Sequence, residues 1–258
     1  MNNKTNPNYE NILETKSLTH TFANGFTAIH DINLAIRPGE FVIIAGANGS
    51  GKTVLIRHFN GLLMPTQGAV ILQGRPIKDD LIAARKKVGL IFQNSDNQIV
   101  GQTIKEDVAF GPENLGLPRQ EVEKWVLQAL EAVGLGDIPD HPPHTLSGGQ
   151  KRKLAIAGIL AMNPEIIVFD EPFTGLDYPG VLQVLTQIVA LHQKGHTIIL
   201  VTHELEKVLA HATRLMIMEK GQIVQDGHPE TLMAKLETYG IHRPFGKGRS
   251  IKTITWLS

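Results

Sequence analysis

Short apolar runs alternate along the chain with longer stretches in which apolar residues recur at helical spacing. Short aliphatic runs bounded by turn residues are typical of buried strands. The runs predicted as strands are Phe41–Ala45, Ala69–Leu72, Val88–Phe92, Ile166–Phe169, Thr197–Val201, Leu215–Met218 and Ile223–Val224. Nearer the N-terminus, Ile12–Phe22 and Ile29–Ile36 form a predicted hairpin, because Asn24-Gly25 is a strong turn signal.

The stretches between the strands have the spacing of helices. In one of them Val122, Val126 and Leu130 lie on a single helix face. The stretches predicted as helices are Val54–Phe59, Asp79–Lys86, Thr103–Phe110, Glu121–Val133, Lys151–Met162, Val181–His192, Glu204–His211 and Pro229–Leu236.

Strands that alternate with helices predict an α/β fold with a mainly parallel core sheet, preceded by an N-terminal antiparallel β region. A helix-rich block from about residue 93 to 162 interrupts the alternation, and we interpret it as an inserted α-helical subdomain. Residues 11–240 are predicted to form a single domain. Residues 1–10 are polar and predicted as a disordered lead-in, and residues 241–258 as a C-terminal extension.

The composition narrows the choice of partners. The chain has 258 residues, with 25 basic and 25 acidic side chains and no cysteine. A balanced charge argues against nucleic acid as a partner, because phosphate binding needs clustered Lys and Arg. The lack of cysteine excludes disulfides and thiolate metal sites. Since no apolar run approaches the roughly 18 residues of a membrane span, we expect a soluble protein that reaches a membrane only through a partner.

The C-terminal extension is basic. No acidic residue follows Glu237, whereas Arg243, Lys247, Arg249 and Lys252 are positively charged. We expect a solvated extension, and the alternative is a binding arm.

A phosphate-binding loop follows the strand Phe41–Ala45. Its residues match the pattern G-x-x-x-x-G-K-[ST] and are Gly46, Ala47, Asn48, Gly49, Ser50, Gly51, Lys52 and Thr53. Glycines allow a turn whose N–H groups point inward, and the helix that follows directs its positive dipole end to the same place. Lys52 would then reach the terminal phosphates, and the Thr53 hydroxyl would bind Mg²⁺. The alternative is an ordinary glycine-rich turn, which this context disfavours.

Two carboxylates end a second apolar strand. Asp170 and Glu171 follow Ile166–Phe169, so Asp170 is expected at the carboxyl edge of the sheet beside the phosphate loop, where it can hold Mg²⁺. Glu171 can point to the position from which water would attack the γ-phosphate. The alternative is a strand that ends in a solvated acidic turn.

A third motif comprises Leu146, Ser147, Gly148, Gly149 and Gln150. Ser147 at a helix N-cap, followed by two glycines, exposes N–H groups and a hydroxyl to an anion, although by itself the pattern is that of an ordinary cap. At this motif the chain resembles the ATP-binding-cassette (ABC) ATPases, whose signature is LSGGQ. The resemblance implies an ABC-type P-loop NTPase that binds ATP and Mg²⁺.

The resemblance extends along almost the whole chain. Residues matching further family motifs are Phe22 (the aromatic that stacks on adenine), Gln93 (the glutamine that links Mg²⁺ and water to the helical subdomain), Gly175-Leu176-Asp177 (the loop that signals to the partner site) and His203 (the switch histidine that contacts the γ-phosphate). The family usually has tyrosine where this chain has Phe22, which puts base selectivity in doubt. It usually has a second hydroxyl residue where this chain has Val54, which leaves the metal ligand Thr53 in place.

The resemblance also implies a mechanism. Thr53, Gln93 and Asp170 hold Mg²⁺, Glu171 orients or activates water, and His203 supports the transition state. In this family the signature of one subunit completes the phosphate site of another, so two cassettes must dimerise to hydrolyse ATP.

Within the family, the segments Ile91–Val100, Asp107–Asn114 and Ser147–Gly158 resemble the cassettes of energy-coupling-factor importers. This resemblance implies uptake of a vitamin or transition-metal ion, driven by two identical or homologous cassettes on the cytoplasmic side of the cell membrane. The partners would be a transmembrane coupling protein and a substrate-capturing membrane protein, with no nucleic acid. The alternatives are a cassette of another importer or exporter, or a soluble ABC ATPase of DNA repair or translation.

Two further features have open interpretations. Asp96, Asp107 and Glu113 are hypothesised to line a groove for a basic helix of the membrane partner, and the alternative is a solvated helix face. His141 and His144 invite a metal-site interpretation, but two histidines supply too few ligands and we favour a plain loop.

Overall fold

The computed structural model describes residues 9–244 and 251–257. Its strands are β1 (Leu13–Thr21), β2 (Thr27–Ile36), β3 (Phe41–Ala45), β4 (Gln67–Leu72), β5 (Arg75–Pro76), β6 (Val88–Ile91), β7 (Ile166–Asp170), β8 (Thr197–Val201), β9 (Arg214–Glu219) and β10 (Gln222–Gly227). Its α-helices are α1 (Lys52–His58), α2 (Leu81–Lys87), α3 (Ile104–Asn114), α4 (Arg119–Val133), α5 (Gly148–Leu160), α6 (Tyr178–Gln193) and α7 (Pro229–Leu232). Every predicted strand is confirmed, with small shifts at the ends.

The strands form two sheets, as the sequence predicted. The N-terminal sheet has the order β2-β1-β4-β5 and is antiparallel. The core sheet has the order β10-β9-β3-β8-β7-β6, and all its pairs are parallel except β9 with β10. Because β3, β8 and β7 are adjacent and parallel, the loops that follow them meet at one edge of the sheet.

The core sheet separates two hydrophobic cores. In β3, Phe41, Ile43 and Ala45 pack into the core on the side of helices α3 to α6, whereas Val42 and Ile44 pack into the core shared with the antiparallel sheet and α1. Successive residues of a strand point to opposite faces, which explains why all five side chains are buried.

Helices α3, α4 and α5 pack together and make up the helical region that the sequence predicted. Thr103 begins α3 with a capping box, in which its hydroxyl accepts from the N–H of Glu106 and the Glu106 carboxylate accepts from the N–H of Thr103. The helix continues through Pro112 to Asn114, beyond the predicted end at Phe110.

The prediction of an α-helix over Glu204–His211 is wrong. The structure has two 3₁₀ turns there, Leu205–Lys207 and Leu209–His211. In an α-helix the N–H of Ala210 would bond the carbonyl four residues earlier, but it donates to the carbonyl of Ile254 at 2.9 Å. A distant segment therefore takes the hydrogen bonds that a helix would have used. The predicted helix Pro229–Leu236 is also shorter, since α7 passes into a 3₁₀ turn over Met233–Tyr239.

The C-terminal extension is not the solvated segment that its charge suggested, at least over its described residues. Ile241, Ile251 and Ile254 are buried in the core on the α3 to α6 side. Two of its basic residues, Lys247 and Arg249, lie outside the described residues. The predicted disordered lead-in also lies outside them, except for residues 9 and 10, and Tyr9 packs against the other core.

Among the helices of residues 9–244 and 251–257, none is both long enough and apolar enough to cross a bilayer.

Candidate active site

The loop between β3 and α1 is built on glycines. Gly49 and Gly51 have φ angles of 80° and 100°, a region that favours glycine. A Cβ at Gly51 would lie 2.7 Å from the Cγ2 atom of Ile29, so a side chain would also clash. The backbone of residues 46–51 can therefore curl tightly just before α1 begins at Lys52.

Lys52 is folded back on its own loop. Its Nζ donates to the carbonyl oxygens of Gly46 at 2.7 Å and Ala47 at 3.0 Å. Burial lowers the pKa of Lys52, whereas the nearby carboxylates of Glu171 and Asp170 act to raise it. The loop, the lysine and both carboxylates predicted for the site thus lie together.

Thr53 and Asp170 form a pair of oxygen donors beside the loop. Thr53 Oγ1 donates to Asp170 Oδ1 at 3.2 Å. Burial raises the pKa of Asp170, and the hydrogen bond from Thr53 offsets only part of that rise. The hydroxyl of Ser50 is buried and makes no hydrogen bond. Oxygen donors are the ligands that Mg²⁺ prefers, and an unpaired hydroxyl in a phosphate loop calls for a polar partner. The residues therefore fit a magnesium-bound nucleotide.

Glu171 and His203 face each other beyond the ends of β7 and β8. The Nδ1 atom of His203 lies 3.0 and 3.1 Å from the two carboxylate oxygens of Glu171. Because a carboxylate accepts, Nδ1 carries the proton in this arrangement. Glu171 has a φ of 47°, and its N–H donates to Val201 O at 2.9 Å. A non-glycine residue in this conformation is strained, which is common where a side chain is aimed at a reaction.

The signature motif begins α5 as predicted. Ser147 is the N-cap, its hydroxyl accepts from the N–H of Gln150, and the side chain of Gln150 accepts from the N–H of Ser147. Leu146 is buried in the core and anchors the turn. Gly148 and Gly149 form the first helical turn, and added Cβ atoms there would meet only ordinary contacts. The two glycines are therefore not required by packing within this chain.

The signature lines a hollow that lies apart from the phosphate loop. This hollow, about 410 Å³, also contains the Gly175-Leu176-Asp177 loop, and Asp177 caps α6 by accepting from Gly180 N at 3.0 Å. No residue of the phosphate loop lines it. The structure thus groups the predicted site residues in two sets rather than one.

Gln93 follows β6 at the same edge of the sheet and is exposed. The carbonyl of the preceding residue, Phe92, accepts from Nη1 of Arg152 at 2.6 Å. Arg152 is only 4% exposed, and burial lowers its pKa while the charge of Asp170 raises it. The arginine therefore joins the signature helix to the loop that carries Gln93.

Sequence reasoning missed Arg152. It lies in the run Lys151-Arg152-Lys153, whose three cations look alike in a sequence. The only available signal was helical phase, since Ile156 and Ile159 mark the buried face that Arg152 shares.

Phe22 lies at the end of the first strand, with 39% of its surface exposed. Its ring meets the His20 ring edge-on, with the centroids 4.7 Å apart. His20 Nδ1 lies 3.1 Å from Nε2 of His58, whose Nδ1 lies 2.7 Å from the Val54 carbonyl. Two buried histidines thus support the exposed aromatic ring from behind.

The hypothesis that Asp96, Asp107 and Glu113 line one groove holds only for Asp107. Its carboxylate is buried and accepts from the N–H groups of Val100 at 2.7 Å and Gly101 at 2.9 Å. Asp96 forms an ion pair with Lys151 at 2.7 Å. The Asp107 carboxylate therefore holds the loop at Val100 and Gly101 in place, and the Asp96 carboxylate is paired with Lys151.

The groove that Asp107 lines is mostly apolar. It has a volume of about 500 Å³, and Glu113 does not line it. Ile82, Val100 and Phe110 contribute exposed apolar surface, at 68%, 60% and 53% exposure. Such a concentration of exposed apolar side chains marks an interaction surface.

His141 and His144 lie in a loop whose last part is the 3₁₀ turn Pro143–Thr145. Over residues 9–244 and 251–257, no group of three or more His, Cys, Asp or Glu side chains forms a candidate metal site.

Comparison of sequences places these motifs in a known family. Residues 29–174 match the model of the ABC transporter family. The energy-coupling factor transporter ATP-binding protein EcfA of Methanocaldococcus jannaschii is 49% identical over 230 residues, which is 88% of this chain and 82% of that protein. EcfA1 of Caldanaerobacter subterraneus is 46% identical over 88% of this chain and 84% of its own length.

Solved structures agree with the sequences. CbiO1 of Clostridium perfringens, part of the CbiONQ ABC transporter complex, superposes with a TM-score of 0.80 at 35% identity, covering 89% of this chain and 93% of that one. A bacterial ABC transporter cassette solved as a dimer superposes with a TM-score of 0.75 at 30% identity, covering 84% of this chain and 98% of that one. The chain therefore belongs to the ABC transporter family, among the energy-coupling factor transporter ATP-binding proteins.

Proposed function

We propose that this chain pairs with a second cassette, which is either an identical copy or a homologue. The two cassettes hydrolyse ATP at their interface and drive uptake of a vitamin or a transition-metal ion through membrane partners. The observation that carries the proposal is the division of the site residues into two sets, one around the phosphate loop and one in the hollow with Ser147 and Asp177. A second chain that brings its signature to the phosphate loop would complete the site. The dimeric cassette among the structural relatives supports this arrangement.

Binding of ATP would give new partners to polar groups of the phosphate loop. Nζ of Lys52 exchanges the carbonyls of Gly46 and Ala47 for phosphate oxygens, and the hydroxyl of Ser50 gains a polar partner. The N–H groups of the loop and the start of α1 add positive potential. These groups stabilise the charge that develops on the transferred phosphoryl group.

Mg²⁺ would be held by Thr53 and Asp170, with Gln93 as the third predicted ligand. When bound, it would neutralise negative charge on the phosphate groups. The carboxylate of Asp170 is already directed at Thr53 Oγ1, so the pair needs no large movement to present both oxygens.

Glu171 is the residue proposed to orient or activate the attacking water. Its carboxylate is held by Nδ1–H of His203. That hydrogen bond fixes the position of the carboxylate, and the other ring nitrogen of His203 would bind a phosphate oxygen only if it carried a proton of its own.

The membrane partner is proposed to dock in the apolar groove near Phe110. The groove is lined by Gln98, whose amide oxygen accepts from the N–H of Phe92 at 3.2 Å, next to Gln93. A partner seated there would therefore sense the position of Gln93. The occurrence of CbiO1 in a transporter complex supports such a partner.

Purification of the full-length chain from membranes, followed by mass spectrometry and reconstitution, tests the proposal. We expect a coupling protein and a substrate-capturing protein to co-purify, and ATP to drive uptake into vesicles. Recovery with an exporter or with another importer would favour that alternative. Recovery only from the soluble fraction, with nucleic acid, would favour a repair or translation ATPase.

A further inference from the structure

The C-terminal segment, residues 251–257, packs against the segment that follows His203. Its carbonyl at Ile254 accepts from Ala210 N at 2.9 Å, and its N–H at Trp256 donates to Lys207 O at 3.2 Å. Thr255 Oγ1 also lies 2.8 Å from Nε2 of His211. These contacts replace the hydrogen bonds of a helix and set the path of residues 204–211.

Lys207 lies between two aromatic rings. Its Nζ is 4.8 Å from the centroid of the Trp256 ring and 5.6 Å from that of Phe173, and its side chain is only 7% exposed. It also forms an ion pair with Glu204, the residue next to His203. A buried ammonium needs such partners, because an uncompensated charge is costly to bury.

The Trp256 ring reaches a second loop of the site. Its centroid is 5.3 Å from that of Tyr178, the first residue of α6 and the neighbour of Asp177. Phe173, on the other side of Lys207, is two residues beyond Glu171. One tryptophan therefore contacts the segments that follow both Glu171 and His203.

We propose that Trp256 and Lys207 are positioning residues for ATP hydrolysis. The C-terminal segment holds the turn after His203, and Lys207 joins that turn to Phe173, so that the imidazole of His203 stays on the carboxylate of Glu171. This inference rests on the hydrolytic roles proposed above for Glu171 and His203. Under this inference, neither Trp256 nor Lys207 contacts the nucleotide.

Steady-state ATP hydrolysis by the full-length chain tests the inference, at a protein concentration where specific activity no longer rises. Trp256→Ala should lower kcat about tenfold, since small displacements of catalytic groups cost up to about 100-fold in rate, and change KM for ATP less than about twofold. Trp256→Phe should recover most of the activity, because phenylalanine still offers a ring to Lys207. Lys207→Met should resemble Trp256→Ala, and Lys207→Arg should be milder.

The matched control is Trp125→Ala, the same substitution at a partly buried position of α4. It should leave kcat unchanged within about twofold. Urea unfolding and nucleotide affinity are measured for each variant. Equal losses of kcat in the two alanine variants, or a loss of kcat in Trp256→Ala that follows a loss of affinity or folding, would overturn the inference.

A His203→Ala background separates the inference from the role on which it rests. If His203→Ala lowers single-turnover hydrolysis and Trp256→Ala adds nothing to that loss, the C-terminal segment acts through His203. Independent, multiplying losses would overturn the inference alone. Normal hydrolysis by His203→Ala would instead overturn the proposed role of His203.

Discussion

The Nδ1 atom of His203 lies 3.0 and 3.1 Å from the two carboxylate oxygens of Glu171. The two residues follow adjacent parallel strands, β7 and β8, whose carboxyl ends meet at one edge of the sheet. The contact links the proposed base to the proposed switch within one chain.

Glu171→Gln should abolish turnover and trap an ATP-bound dimer. Glutamine keeps the shape of the side chain but has no charge with which to activate water, so kcat should fall by about 100-fold or more. ATP binding should remain, and gel filtration with light scattering should show a dimer with ATP and Mg²⁺. The control is Glu165→Gln, because Glu165 immediately precedes the first residue of β7 and lies at the opposite end of the strand from Glu171. This variant should be active and remain in monomer–dimer exchange. Near-normal turnover in Glu171→Gln would refute its role.

Two inactive variants should restore activity when mixed. In a mixed dimer of Lys52→Ala and Ser147→Arg, one site carries both changes and the other carries neither, because each site takes its loop and its signature from different chains. Random pairing of identical subunits should recover about a quarter of the wild-type sites. Rates of phosphate release are measured for each variant and for the mixture. No recovery, with mixed dimers demonstrated, would argue against a shared site between identical chains.

Phe22→Ala should weaken ATP binding by roughly 5- to 160-fold, because stacking of a base on an aromatic ring is worth about 1–3 kcal/mol. Phe22→Tyr should bind normally. Since phenylalanine offers no hydrogen bond to the base, ATP and GTP should bind with similar affinity. Fluorescent-nucleotide titration measures both. Phe26→Ala is the control, since Phe26 belongs to the same hairpin and is 60% exposed. Equal effects at the two positions would contradict a stacking role for Phe22.

Phe110→Lys should prevent co-purification of the cassette with membrane partners while basal hydrolysis changes less than about twofold, because the substitution places a charge in the apolar groove. Leu127→Lys on α4 is a matched control, since Leu127 is 54% exposed and Phe110 is 53% exposed. Recovery of partners is followed by quantitative mass spectrometry. Full recovery with Phe110→Lys would exclude this groove as the docking surface.

His58 should make folding stability depend on pH. Burial lowers the pKa of His58 to about 4, whereas an unfolded histidine has a pKa of about 6.5. Between these values the unfolded chain binds more protons, so stability should fall as the pH drops from 6.5 towards 4. The contribution is about 1.4 kcal/mol per pH unit.

His58→Gln should reduce this slope in urea unfolding between pH 4.5 and 7. Part of the slope should remain, because burial also lowers the pKa values of His196 and His211. His141→Gln, at an exposed histidine, should leave it unchanged. An identical slope in His58→Gln and the wild type would contradict the prediction.

The sequence alone predicts those parts of the site that are built from residues close together in the chain. The loop at Gly46–Thr53 and the cap at Ser147 depend on glycine dihedral angles and on N–H groups within a few positions, so the local pattern specifies them. The alternation of strands and helices similarly predicts the parallel sheet, and the sheet places Asp170 beside Thr53.

Only the tertiary structure decided features whose partners are far apart in the chain. The turns after His203 replace a predicted helix because Ile254 and Trp256 take part in their hydrogen bonds. Asp107 is buried because its carboxylate accepts from two N–H groups of a neighbouring loop. The basic C-terminal extension packs on the domain because its isoleucines are buried in the core. A hydrogen bond or a buried contact between distant residues leaves no local periodicity, and for that reason the sequence alone could not reveal it.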